Sequence, residues 1–149
     1  MAHTKQTIFI NAPLENVFRY TINPENWAHF YNNLSSPKKI DGTGDLGTVV
    51  ETDYAIMGLH FPVTIQVTEC EVTDRTAKWT GMVSGSLNAR HSSYYEAKDL
   101  GTELTFEIES YIPDDLFGKI TDRLIYERMD RKSAAHSLEN VKMICENPE

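Results

Sequence analysis

Between Val50 and Glu109 the chain alternates apolar and polar positions with a period of two. Val50, Thr52, Tyr54 and Ile56 alternate with Glu51 and Asp53, and Phe61, Val63, Ile65 and Val67 with Thr64, Gln66 and Thr68. Ala77, Trp79, Gly81 and Val83 alternate with Lys78 and Thr80. The same holds for Leu87, Ala89, His91, Ser93 and Tyr95 against Asn88, Arg90 and Glu96. Leu104, Phe106 and Ile108 alternate with Glu103, Thr105, Glu107 and Glu109. Each run predicts a strand with one buried and one wet face. The joints are short and carry turn residues: Met57-Gly58, Thr73-Asp74-Arg75, Ser84-Gly85-Ser86 and Asp99-Leu100-Gly101. Such joints favour an antiparallel meander.

Other periods flank this block. Residues 3–10 end in Ile8-Phe9-Ile10 and predict a first strand. Asn11-Ala12-Pro13 then predicts a helix start, with Asn11 or Ala12 as cap and Pro13 in the first turn, where a missing N–H costs nothing. Val17 and Phe18 give that helix its apolar face. Asn23-Pro24-Glu25 repeats the device and opens a second short helix through Trp27, Phe30 and Tyr31. Pro113 ends the last strand, and from Asp114 to Glu146 there is no proline and one glycine, Gly118. Asp114 and Asp115 suit a helix N-terminus, and Asp115–Lys119 and Glu127–Arg131 are acid-first i,i+4 pairs. Phe117, Ile120, Leu124, Ala134, Ala135, Leu138 and Val141 mark one apolar face. A helix over residues 114–146 spans about 50 Å. A compact domain of this size has a radius of gyration near ~15 Å, so the helix must lie across the sheet.

The chain has 149 residues, 40% of them apolar and 24% charged, an ordinary globular composition. That length suits one domain over residues 1–149 and leaves no room for two good cores. The longest apolar run is four residues, Tyr54 to Met57, whereas a membrane-spanning helix needs about twenty; no membrane span is expected. Met1-Ala2-His3-Thr4-Lys5 has no signal-peptide character. Two cysteines, Cys70 and Cys145, read as free thiols of a cytoplasmic protein. Asn33-Leu34-Ser35 matches the glycosylation sequon, a match common by chance. The net charge is −8, and residues 41–111 alone carry that excess, with segments of +2 before and −2 after. An acidic surface repels phosphate backbones, so neither nucleic acid nor an anionic membrane face is an expected partner.

Gly42-Thr43-Gly44-Asp45-Leu46-Gly47 fits G-x-G-x-x-G literally. In a dinucleotide-binding fold the third glycine opens a helix. Here the β-branched, alternating run Thr48-Val49-Val50-Glu51-Thr52 follows, so the motif reads as a glycine turn between two strands.

The order of elements is strand, two short helices, antiparallel meander and long C-terminal helix, which resembles the helix-grip arrangement. Ile10-Asn11-Ala12-Pro13-Leu14-Glu15-Asn16-Val17-Phe18 resembles the superfamily's opening I-x-A-P-x-x-x-V-F. Asn23-Pro24-Glu25-Asn26-Trp27 is similar to its second helix entry, and Gly44-Asp45-Leu46-Gly47-Thr48-Val49-Val50 to the glycine turn before its long strand. This superfamily (SRPBCC) contains START lipid-transfer domains, the birch pollen allergen family and polyketide cyclase/dehydrase-like proteins, the last being the branch most resembled. The resemblance implies an α+β helix-grip fold: a curved antiparallel sheet of six to seven strands wrapped around the C-terminal helix, with an apolar pocket between them. No single catalytic motif unites these families, so function rests on the site.

The inward phases supply the expected site. His91 is a candidate general acid or base, or a donor to a ligand carbonyl; its ordinary alternative is a buried neutral histidine bonded to a neighbour. Tyr95 and Tyr54 offer phenols to a ligand oxygen, and Tyr95 joins His91 as the second candidate catalytic residue. Thr52 and Ser93 add polarity. Ile56, Ile65, Trp79, Phe106 and Ile108 from the sheet, with Phe117 and Leu124 from the helix, complete the expected ligand-binding wall. Trp27, Phe30 and Tyr31 read as packing residues, and Arg123, Arg128 and Arg131 as solvated. No His, Cys or Asp stands beside His91 at metal-ligand spacing, so neither a metal nor another cofactor is expected. No base is arranged for Ser93 and nothing activates Cys70.

Three functions compete on these residues. The first is binding of a small hydrophobic molecule, of lipid, polyketide or isoprenoid type. The second is a cyclase/dehydratase in which His91 moves protons while Tyr95 or Tyr54 polarises a carbonyl. The third is a cochaperone-like interaction domain whose acidic sheet docks a basic partner.

Overall fold

The computed structural model describes residues 2–56, 58–111 and 123–147, except for the side chains of Arg123 and Leu124. The expected helix start at Asp114, the Asp115–Lys119 pair, Phe117 and Ile120 lie outside the described residues, as does the side chain of Leu124.

Strand β1 (Ala2–Ile10) leads into helix α1 (Leu14–Ile22). A 3-10 turn at Pro24–Asn26 runs into the one-turn helix α2 (Trp27–Phe30). Strands β2 (Lys39–Asp41), β3 (Val49–Ile56), β4 (Leu59–Val72), β5 (Thr76–Gly85), β6 (Asn88–Lys98) and β7 (Gly101–Tyr111) follow, and then helix α3 (Arg123–Glu146). The strands form one seven-stranded sheet in the order β1-β7-β6-β5-β4-β3-β2. Every pairing is antiparallel. The five alternating runs are the meander β3–β7, and β1 docks on its far edge with Ala2 opposite Ser110 and Ile10 opposite Thr102. The strand β2 is three residues long and exposed throughout, too short to show a period.

Two local corrections concern caps. The N-cap of α1 is Pro13 itself, in extended geometry and without a side-chain cap bond; Asn11 instead gives its backbone N–H to Glu146 Oε2 at 2.7 Å. The second helix stops at Phe30 because Tyr31 turns extended, with φ −69° and ψ 118°. At Asn23 the expected cap does form: its Oδ1 accepts the Glu25 N–H at 3.1 Å.

The glycine-rich segment links β2 to β3, and Gly42, Gly44 and Gly47 all have positive φ. Gly44 is the tightest point: a Cβ there would collide with the carbonyl oxygen of Ile22 at the end of α1. The close approach lets the Gly44 carbonyl accept the Trp79 indole N–H at 3.0 Å. On β5, Gly81 leaves room for the same indole, since a Cβ there would stand 2.8 Å from the Trp79 ring. A register shift between Val67 and Glu69 on β4 marks a bulge, which bends a strand and increases its twist.

The concave face of the sheet packs on α3, which presents Tyr126, Ala134, Leu138 and Val141 as buried residues. Polar side chains lock the helix in place. Asn140 Nδ2 donates to Phe30 O at 3.0 Å, and Ser137 Oγ accepts the Asn32 N–H at 2.9 Å. Lys142 Nζ donates to Phe9 O at 2.8 Å and pairs with Glu146 at 2.6 Å. The expected Glu127–Arg131 ion pair does not form. An exposed pair gains little in water and pays for ordering two long chains, whereas Lys142–Glu146 is held by contacts to β1 and Asn11.

Candidate functional site

A cavity of about 430 Å³ lies between the concave face and α3. The inward phases of β3 to β7 aim side chains at it, α2 and the residues after it border one end, and α3 covers it. Of the residues expected from the sequence, Tyr54, Ile56, Ile65, Trp79, His91, Phe106 and Ile108 line the cavity. Thr52, Ser93 and Tyr95 are buried in the surrounding packing instead. Thr52 Oγ1 donates to Ser35 O at 2.9 Å, tying β3 to the segment after α2. Tyr95 is 2% exposed, its hydroxyl is bonded to Thr21 on α1, and Phe18 packs edge-on against its ring. At Tyr95 the curved sheet turns its concave face toward α1 rather than toward the open space.

His91 lies at the centre of an aromatic cluster. Its ring meets Phe106 at 4.8 Å, Tyr31 at 5.1 Å and Trp79 at 6.2 Å, each in an edge-to-face arrangement. Trp27 extends the cluster, 5.6 Å from Trp79. His91 Nε2 and Tyr31 Oη are hydrogen-bonded at 3.1 Å. Burial pushes the imidazole down from 6.5 to about 3, so it is neutral at ordinary pH. Burial likewise raises the Tyr31 phenol well above its usual range. The pair is therefore a neutral hydrogen bond inside an aromatic wall. Proton transfer at neutral pH favours a group with a pKa near 7, which this imidazole does not have in the open cavity.

The wall at α3 is more polar. Tyr126 Oη donates to Ser110 Oγ at 3.2 Å. One turn later Asp130 faces the cavity, and burial lifts its carboxyl from 3.8 to about 6. The phenols of Tyr54 and Tyr126 are raised by burial, and further by the nearby Asp130. Asp130, Tyr126 and Ser110 belong to no motif in the sequence, and Tyr31 reads there as a packing residue. One signal for Asp130 was available: Tyr126, Asp130 and Ala134 are spaced by four on the face that continues through Leu138 and Val141. A carboxylate in that row is a polar residue on an apolar stripe.

The thiols are quiet. Cys70 and Cys145 are free and half-buried. Burial raises both, Cys145 to about 11 with Glu146 adding to it, so neither carries appreciable thiolate. Among the described residues, no group of three or more His, Cys, Asp or Glu side chains is placed to hold a metal ion. Nor is any helix there long and apolar enough to cross a membrane.

A curved seven-stranded antiparallel sheet closed over a long C-terminal helix, with a largely apolar cavity between them, defines a helix-grip protein. The chain belongs to the family described as polyketide cyclase / dehydrase and lipid transport, whose model matches residues 1–146. Solved structures share the fold at low identity. A START superfamily protein from Mycobacterium smegmatis superposes with a TM-score of 0.75 at 10% identity, covering 100% of each chain. The Zhui aromatase/cyclase of a Streptomyces species gives a TM-score of 0.71 at 16% identity, over 97% of this chain and 93% of that one. The Aha1 dimer from Colwellia psychrerythraea gives 0.65 at 16% identity, over 100% and 99%. Comparison with curated proteins finds no match.

Proposed function

We propose that this chain is a single helix-grip domain that binds a small, largely apolar molecule of lipid, polyketide or isoprenoid type between sheet and α3. The observation that carries this reading is the cavity itself. Protein interiors are ordinarily packed with few voids larger than a water molecule, yet here about 430 Å³ stays open beside Trp79, His91 and Phe106. Small-molecule sites have this character: concave, mostly apolar, with a few placed polar groups. The family's description, which names both lipid transport and cyclase chemistry, supports the same reading. The free, unactivated thiols suit a cytoplasmic setting.

The test is mass spectrometry of the purified protein, first native and then denatured with solvent extraction. A stoichiometric small molecule released on denaturation is the expected result and identifies its chemical class. An interior that takes up neither a co-purified molecule nor any member of an added panel of lipids and aromatic polyketides counts against it.

A cyclase/dehydratase role is the second reading, favoured by the His91–Tyr31 contact inside the cavity. The phenol within reach of His91 is that of Tyr31, and Tyr95 bonds to Thr21 instead. In this reading Tyr31 polarises a carbonyl and His91 receives a proton once a bound substrate changes its surroundings. Turnover of a poly-β-keto substrate that survives His91→Gln would remove His91 from the chemistry.

A further inference from the structure

The aromatic end of the cavity satisfies its own polar groups, whereas the α3 wall does not. Asp130 stands on the inner face of α3, with Tyr126 one turn before it and Ala134 one turn after, both buried. Its Oδ2 is shielded from solvent and has no hydrogen-bond partner among the described residues. Tyr126, the nearest phenol along the helix, gives its hydroxyl to Ser110. Lys132 and His136 also border the cavity, but both are exposed, and no Lys, Arg or His among the described residues forms an ion pair with Asp130. A buried carboxylate oxygen left without a donor costs free energy that a folded chain normally avoids. At this site the missing donor has a place to come from, because Asp130 is one of the residues that line the cavity and a turn of its carboxyl group would bring this oxygen to it.

We propose that Asp130 is the specificity-determining residue of the cavity and accepts a hydrogen bond from the head of the ligand. The ligand is then an apolar molecule bearing a hydroxyl or an amine, and not an acid. This inference rests on the ligand-binding reading and deepens it. The rings of Tyr31, Trp79 and Phe106 take the apolar body, while Asp130 on the opposite wall reads the head group. A carboxylate or phosphate head would bring like charge against Asp130 in a low-dielectric space, where the repulsion is far stronger than in water.

The experiment is calorimetric titration of the full chain at pH 7.5 with three bicyclic probes of matched shape: 2-naphthalenemethanol, 2-naphthylmethylamine and 2-naphthoate. The alcohol and the amine are expected to bind at least about tenfold more tightly than the acid, about the worth of one hydrogen bond to a charged group. In Asp130→Asn that preference should collapse to within about threefold. Asp130→Ser, which removes the carboxylate without added bulk, serves as a second variant, with circular dichroism confirming that each is folded. Using the neutral alcohol separates this effect from general attraction of an amine to a chain of net charge −8. Equal binding of all three probes, or a preference that survives both substitutions, overturns the role of Asp130 and leaves the cavity-binding reading standing. Binding of none of the three overturns both.

Discussion

At the scale of single residues, two titratable groups inside one cavity pull stability in opposite directions. His91 is held at about 3 in the folded chain against 6.5 for a free imidazole. Between those values the unfolded chain takes up a proton that the folded chain refuses. Its contribution is therefore complete above pH 6.5 and is lost as pH falls toward 3. By pH 5 this amounts to about 2 kcal/mol. Urea midpoints measured from pH 7.5 to 4.5 should fall on acidification, and His91→Gln, which keeps a partner for Tyr31 without titrating, should flatten that fall. Asp130 acts the other way. Its folded value is about 6 against 3.8, so the folded state holds the extra proton and stability declines as pH rises through that window. Asp130→Asn should stabilise the chain by about 2 kcal/mol at pH 7, allowing for its partial exposure, and by nothing at pH 3.5. Tyr54 and Tyr126 interact with Asp130, and Tyr31, His91, Lys132 and His136 are the other titratable groups that line the same cavity. A stability curve for Asp130→Asn that parallels wild type across the whole range would refute the burial of this carboxylate.

At the scale of elements, the strands were legible and the helix junctions were not. A two-residue period written over five consecutive runs places every side chain on one face or the other, and short glycine and aspartate joints leave only an antiparallel meander. The observed turns carry the residues that period left between runs: Asp99 and Gly85, for example, both have positive φ. A period says nothing about what a curved face looks toward. Tyr95 and His91 share a phase on β6, yet one reaches α1 and the other reaches the cavity. Tyr31 looked like the last residue of a helix and is instead the first extended residue after it, which is what swings its phenol to His91. That junction is held to α3 by Ser137, whose hydroxyl accepts the Asn32 N–H while donating to Ser133 O. Ser137→Ala should cost about 1–2 kcal/mol through the orphaned amide. It should also speed hydrogen exchange at Asn32 without disturbing amides in the β4–β5 pairing. Unchanged exchange at Asn32 would show that the α2 end is anchored by other contacts.

At the scale of the whole molecule, chain ends distant in sequence close the fold. Nine residue pairs join β1 to β7, and Lys142 and Glu146 fasten the far end of α3 to Phe9 and Asn11. Contacts this distant in sequence pay their loop-closure entropy before they stabilise anything. A chain lacking residues 1–10 should therefore lose its cooperative thermal transition, because β7 becomes an open edge and α3 loses its dock. A sharp calorimetric peak in that truncation would contradict this dependence. The acidic excess of residues 41–111 falls largely on the convex face and is partly neutralised there. Asp53 pairs with Lys38 at 2.8 Å and Glu69 with Lys78 at 3.2 Å.

By itself the sequence determined the strands β1 and β3–β7, the antiparallel meander, the turn role of the glycine-rich segment and an amphipathic C-terminal helix, and its resemblances pointed to the helix-grip architecture. These follow from local period, turn chemistry and the need of an amphipathic helix to cover an apolar face, and such information is written in neighbouring residues. It also placed His91, Trp79 and Phe106 on the face that lines the cavity. Only the tertiary structure decided which inward residues meet open space, that His91 finds Tyr31, and that Asp130 on α3 confronts the sheet with a carboxylate oxygen unpaired. Those outcomes depend on how far a curved sheet and a crossing helix stand apart at each point. That separation is set by packing between segments tens of residues apart, and no local pattern records it.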